Sequence, residues 1–278
     1  MSTREAFANV VGTIAILTSI ATYSSHAAVV DPSTELGAAG PAFWAVLDNG
    51  HFNLSNPNGF IHGNVGEATG NFTDGGSAGV SGTIFLGSGV GHNTVAGDVL
   101  VLNSTLPASA LTQANVAAAY YNGLAADFTT PPSAGAVTPG VYKISGNWSP
   151  NGGTYNLTPG QIYVFDISGD FKPSTAASAL LFNDSTPWDV IFNVGGKVQS
   201  TGGSSTFPNL DGILLAQDSI SLTPGFVAGE IISQTSINIA SQGAVQGITV
   251  PDRFDTIILL GLATVTLLVL RLKLICPQ

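Results

Sequence analysis

The segment 212–249 repeats itself. One copy opens at Gly212 with Gly-Ile-Leu-Leu-Ala-Gln-Asp-Ser-Ile-Ser-Leu, the next at Gly229 with Gly-Glu-Ile-Ile-Ser-Gln-Thr-Ser-Ile-Asn-Ile, and a third begins at Gly247-Ile248-Thr249. The copies start 17 and then 18 residues apart (212 to 229, 229 to 247), with Gln217 matching Gln234, Ser219-Ile220 matching Ser236-Ile237 and Val227 matching Val245. A unit this short cannot bury its own apolar side, so it must stack on its neighbours. Short β-runs between Gly, Asn and Asp turns make the stack a β-solenoid, with strands about 4.8 Å apart between coils. Alternation places Ile220, Leu222, Ile237 and Ile239 inside. It places Ser219, Ser221, Thr223, Ser236, Asn238 and Ala240 on an outer face, the candidate binding face.

The same style continues upstream with less regularity. Residues 59–63, 82–86, 162–167, 190–194 and 197–201 read as strands separated by glycine-rich turns. One stretch departs from it. Leu111, Ala114, Ala118, Tyr121, Leu124 and Ala125 recur at helical spacing, and the Pro-Pro pair at 131–132 closes the run. A helix at about 108–127 is expected, lying along the solenoid and covering an apolar flank. The fold class is therefore dominated by β structure, a solenoid over residues 28–249 with one long helix beside it.

Composition excludes several functions. Between Ala28 and Val250 the cations are Lys143, Lys172 and Lys197, against fourteen acids in the same span. Nucleic acid needs clustered Lys and Arg, so no nucleic-acid partner is expected. The single cysteine, Cys276, lies in the tail, which leaves the central part without disulfide or thiol chemistry. The 44% of hydrophobic residues supplies a packed core despite only 9% charged residues.

Both ends read as targeting segments. Residues 1–27 combine Arg4, a short apolar run over 10–21 and small residues before a cleavage expected after Ala27, the pattern of a secretory signal peptide. At the other end, Val250-Pro251-Asp252 precedes an uncharged apolar run over 256–270 and the basic residues Arg271 and Lys273. That run is at the short limit for a spanning helix, and its basic end should stay cytoplasmic. Motif, apolar helix and basic tip, in that order, resemble the PEP-CTERM class of sorting signals in its Val-Pro-Asp variant. The resemblance implies an exosortase-type processing enzyme as partner and at least transient membrane contact through 256–270. Arg253-Phe254 stands where small residues are usual in that class. Hydrophobic helices are expected at both termini, and the chain is expected to be exported to the cell surface or beyond.

The central region carries a second resemblance. Leu36-Gly-Ala-Ala-Gly40 leads into Phe43-Trp-Ala-Val46, a helix follows the first coils, and Val137-Thr-Pro-Gly-Val-Tyr142 opens an extended middle that ends in near-regular coils. This order resembles the ice-binding-like β-solenoid family, including anchor-type domains. The resemblance implies a right-handed solenoid with a helix packed alongside, and it raises ice as a ligand.

Catalytic patterns are weak. Gly75-Gly-Ser-Ala-Gly79 has the letters of a nucleophile elbow without its strand, helix and downstream acid and histidine. Gly87-Ser-Gly-Val-Gly91 lacks a P-loop lysine. His51, His62 and His92 match no compact metal-ligand spacing, and Asp166, Asp170, Asp184 and Asp189 repeat no calcium-loop pattern. Trp148, Tyr155 and Trp188, near turns, are candidates for stacking on sugar rings. No catalytic residue, metal or cofactor is therefore expected. The leading expectation is a non-enzymatic surface or matrix protein that presents the Ser/Thr/Asn face for adhesion or polysaccharide association. Ice binding by the same face is the alternative, and a polysaccharide-active enzyme the third reading.

Overall fold

The computed structural model describes residues 32–55, 59–75, 79–94, 97–150, 153–174, 182–183, 187–201, 210–241 and 243–247. The segment expected as a signal, with Ala27, and Val250-Pro251-Asp252 and the apolar run at 256–270 lie outside the described residues, and so do the helices expected at the termini.

A short helix α1 (Pro32–Leu36) and one 3-10 turn (Gly37–Ala39) lead into the first coils: β1 (Trp44–Asp48), β2 (His51–Leu54), β3 (Phe60–His62), β4 (Asn64–Glu67), β5 (Asn71–Asp74), β6 (Thr83–Leu86), β7 (Gly91–Asn93) and β8 (Val99–Val101). Helix α2 (Leu106–Gly123) follows. The second half comprises β9 (Gly135–Ala136), β10 (Gly140–Ile144), β11 (Tyr155–Asn156), β12 (Tyr163–Ile167), β13 (Phe182–Asn183), β14 (Val190–Val194), β15 (Val198–Ser200), β16 (Leu210–Ala216), β17 (Ile220–Leu222), β18 (Phe226–Ser233), β19 (Ser236–Ile239) and β20 (Ala244–Gln246). Pairing between coils is parallel throughout, so the molecule is a β-solenoid of about nine turns with one long helix.

The solenoid has three faces. One carries the strand order β10-β12-β14-β16-β18-β1-β4-β6-β8, and a second the order β15-β17-β19-β2-β5-β7. The third holds β9, β11, β13, β20 and β3 with the first residues of β16 and β18. Two strands turn the corner between the third and first faces without a loop. Gly212 (φ +144°) and Gly229 (φ +152°) sit there as register partners, which explains why glycine opens each repeat. A Cβ on Gly229 would lie 1.9 Å from the Gly212 carbonyl oxygen, a contact no other residue can make.

The first strand, β1, lies in the middle of the stack. β1 pairs with β18 on one side (Val46 opposite Ile231) and with β4 on the other (Val46 opposite Val65). The early coils run outward from this junction to β8, α2 carries the chain back, and the later coils return from β10 to the junction. The sequence pattern places a third copy of the repeat after Gln246. The coil that stacks there is instead the N-terminal one: β19 lies on β2 and β20 on β3, while Gly247 donates its N–H to the His62 carbonyl. The segment that lies next in space is therefore almost two hundred residues away in sequence.

Helix α2 starts two residues before the expected boundary and ends four residues short of it. Pro107 suits the first turn, where its missing N–H costs nothing. Leu111, Ala114, Ala118 and Tyr121 are buried against the first face, as the spacing implies. Leu124 turns extended, because Asp127 and Phe128 are needed elsewhere: their N–H groups donate to the Val141 carbonyl, and the Phe128 ring stacks on Tyr142 at 4.5 Å. They cap the open end of the stack at β10. At 1.5 Å per residue the helix spans roughly 27 Å.

The interior is filled by ladders of like residues. Tyr142, Phe165 and Phe192 stack in successive coils at 5.2 and 5.1 Å, and Phe52 stacks on Phe72 at 4.8 Å. Each buried aromatic is worth about 1.5–3 kcal/mol in area removed from water, and parallel register lets the rings add stacking geometry.

Candidate functional site

The second face carries the expected outer residues over consecutive coils, and α2 packs on the first face, not on this one. The six residues expected on an outer face all lie there, half-buried between neighbours with their tips outward. Ser221 sits opposite Asn238, and Ile220 and Leu222 opposite Ile237 and Ile239 point inward, which is the alternation read from the repeat. The structure extends this patch in both directions. Across the stack the middle column runs Gln199, Ser221, Asn238, Asn53, Thr73, Asn93. The column toward the first face runs Lys197, Ser219, Ser236, His51, Asn71, Gly91. A third column follows the same register with Thr201, Thr223, Ala240, Ser55 and Gly75. His51, Asn53, Asn71 and Thr73 are invisible to a local repeat search, because β2 and β5 join β19 only through the fold.

This face is rigid for identifiable reasons. Behind it lie two columns of buried side chains, Val198-Ile220-Ile237-Phe52-Phe72 and Leu222-Ile239-Leu54. Above it, Asn53 Nδ2 donates to Asn238 Oδ1 at 2.9 Å across the junction of the two half-stacks. Ser221 and Thr223 hydroxyls lie 3.5 Å apart along one strand. Among the three columns, acids are absent from the named positions, and the ionisable side chains are Lys197 and His51. The result is a regular array of hydroxyl, amide and methyl groups, with one repeat distance of about 4.8 Å across the strands.

The other candidates disperse. Trp148 and Tyr155 are buried in the core against Phe182, which removes them as sugar platforms, and Trp188 is half-buried. His51 and His92 lie on different coils of the second face, and His62 on the third. Asp166 is paired with Lys143 and Asp170 with Lys172. Asp184 lies outside the described residues, and among those described no three metal-binding side chains gather. Most of the Gly75–Gly79 motif also lies outside them.

Sequence reasoning missed an acid pair. Asp48 and Glu67 are register partners on β1 and β4, fully buried on the solenoid's inner side, next to Ser233 in the same column. Burial first, and the Asp48 charge second, push the Glu67 carboxyl up to about 10. Burial raises Asp48 to about 6, partly offset by Glu67 and by the Asn49 N–H. No oxygen of the pair makes a well-formed hydrogen bond, so these offsetting contacts are weak. At neutral pH Glu67 therefore keeps its proton. Glu230, on β18 and facing outward on the first face, is also fully buried, and burial raises its carboxyl well above the usual range.

Known proteins share this architecture. An ice-binding protein from an Arctic yeast superposes with a TM-score of 0.57 at 22% identity, over 80% of this chain and 97% of the yeast chain. One from the Antarctic ascomycete Antarctomyces psychrotrophicus gives 0.55 at 18% identity, over 76% and 97% of the two chains. A Shewanella frigidimarina ice-binding protein domain gives 0.55 at 17% identity, over 78% and 98%. At these identities the likeness is one of fold. No curated protein matches the chain. The model of the ice-binding-like family matches residues 53–247, a span that runs from the first Asn of the open face, through the helix, to the last coil. The chain belongs to the ice-binding-like family.

Proposed function

We propose that this protein is an exported, non-enzymatic ice-binding protein that contacts ice through the open face of β15, β17, β19, β2, β5 and β7. The observation that carries the reading is the outward grid of small polar and methyl-bearing side chains, held in register over six parallel strands. Its strand repeat is close to the spacing of oxygen rows in hexagonal ice, and a rigid grid lets surface water order without bending the protein. Charged groups hold water in shells that do not match a lattice, and the face has few of them. Family membership favours ice over the matrix and polysaccharide reading, for which the structure offers no exposed aromatic platform at Trp148 or Tyr155.

The test is thermal hysteresis and inhibition of ice recrystallisation by the purified full-length chain. Activity is expected, together with its loss in Ser221→Tyr, which plants a ring at the centre of the plane. Thr112→Tyr, on the outside of α2, should retain it. An inactive wild-type chain, or equal activity in both variants, rejects the assignment.

Export rests on the two ends. In this reading the signal peptide is cleaved after Ala27. The membrane segment at 256–270 holds the chain until an exosortase-type enzyme processes it near Val250-Pro251-Asp252, releasing the solenoid to the cell surface or medium. Among the described residues no helix is long and apolar enough to cross a membrane. Mass spectrometry of the mature protein decides the matter: an intact Gln278 means that the tail is retained as an anchor.

A further inference from the structure

The open face is not uniform: long exposed side chains stand at its β15 edge (Lys197, Gln199), and one, His51, stands within the stack. In the column toward the first face, Ser219 and Ser236 are followed by His51 and then Asn71. His51 is exposed, as is the shorter Asn71 beside it, whereas Ser219 and Ser236 are half-buried. An imidazole reaches well past a hydroxymethyl group, and all four side chains rise from backbones in one continuous parallel ladder. The step in height is therefore a step in the surface itself. The middle column beside it is already filled, by Asn53 bonded to Asn238 and by Thr73. The third column has no such step: Thr201, Thr223, Ala240, Ser55 and Gly75 are all small. Lys197 stands at the far end of the His51 column, so its small stretch is bounded on both sides by tall, ionisable side chains.

We infer that His51 is a specificity-determining residue that divides the face, keeping ice in register with the β17–β19 side and away from the β5–β7 side. A crystal surface is flat and stiff over many lattice repeats. One projecting ring interrupts the contact at about one strand spacing of 4.8 Å, so a crystal surface seated on the β17–β19 side does not also reach Asn71 and Gly91 beyond His51. The groups around His51 do not relieve this. Ser236 and Asn71 are neutral, and Asp48 and Glu67 lie inside the solenoid behind the same corner, where Glu67 faces the Phe52 N–H. Asp218, the nearest acid on the outer corner of the adjoining coils, is engaged with the Ser219 N–H and the Thr235 hydroxyl.

This inference rests on the open face being the ice-contacting surface, and the experiment separates the two. His51→Ser and His51→Tyr are made in the full-length chain, and thermal melts confirm that both fold. Thermal hysteresis is then measured, and the ice planes bound by fluorescently labelled protein are mapped. His51→Ser should raise hysteresis severalfold and add bound planes. His51→Tyr, whose phenol reaches further than the imidazole, should lower hysteresis and add no bound planes. A wild-type chain that binds ice with His51→Ser unchanged or weaker overturns the role of His51 alone. If neither wild type nor His51→Ser binds ice, the face assignment falls and this inference with it. A gain in His51→Tyr equal to that in His51→Ser also overturns the role of His51, because height would then not matter.

Discussion

Individual residues in this solenoid experience their environment twice, once from each adjoining coil. Gly229 shows the consequence. Its backbone needs positive φ, and the neighbouring Gly212 carbonyl occupies the space of a side chain. Gly229→Ala combines backbone strain with overpacking and should cost roughly 2–4 kcal/mol, read from urea unfolding followed by circular dichroism. Glu67 shows a second consequence. An acid whose carboxyl is raised in the folded state, from its ordinary 4.5 to about 10, binds a proton that the unfolded chain gives up. Its contribution is fully present below about pH 4.5 and declines as pH climbs toward 10, so the wild type should lose stability on alkalinisation. Glu67→Gln keeps the shape and a permanent N–H donor toward Asp48. It should therefore be nearly neutral at pH 5 and stabilising by about 1 kcal/mol or more at pH 9. Thermal melts at the two pH values check this; a variant no better at pH 9 than at pH 5 contradicts the protonated assignment.

Elements are joined by polar clamps where apolar packing is thin. Helix α2 meets the first face largely through alanines, so little area is buried per residue. Its C-terminal end is tied down instead. Lys143 Nζ donates to the Tyr121 and Asn122 carbonyls and to Asp166, while Asn193 Nδ2 donates to the Ala118 carbonyl and Asp166 Oδ1. A cation at a helix C-terminus meets both the free carbonyls and the dipole. Lys143→Met strands Asp166 in a nearly buried position and should cost about 2–3 kcal/mol, less than a fully buried pair because Lys143 is a quarter exposed. Asp166→Asn in the same background should recover part of the loss by removing the unpaired charge. A double-mutant cycle on melting temperature gives the coupling directly.

At the scale of the whole molecule, the stack has a protected centre and unequal ends. Every strand at the junction of β18 and β1 has a partner on both sides. The β10 end is capped by Asp127 and Phe128, whereas β7 and β8 end their sheet orders, with Val99 58% and Leu102 52% exposed. Amide hydrogen exchange should therefore be slowest in β18, β1 and β19 and fastest in β7 and β8. Uniform protection along the stack, measured by mass spectrometry of peptic fragments, would contradict this ordering. The junction also couples the two ends of the chain: Asn53 and Asn238, on either side of it, belong to one surface.

The 17-residue period, the alternation within each strand and the turn glycines were legible because each depends on neighbours within one coil. They placed Ser219, Ser221, Thr223, Ser236, Asn238 and Ala240 on one outer face and the apolar partners inside, and the spacing from Leu111 to Tyr121 announced the helix. Tertiary structure alone decided that the first coil stacks on the last, because that contact depends on surfaces that meet only after α2 has carried the chain back. For the same reason only the fold could bring His51, Asn53, Asn71 and Thr73 into the face, bury Trp148 and Tyr155, and set Asp48 against Glu67. Local periodicity specifies which way a side chain points; which coil lies beside it is settled by burial summed over the whole stack.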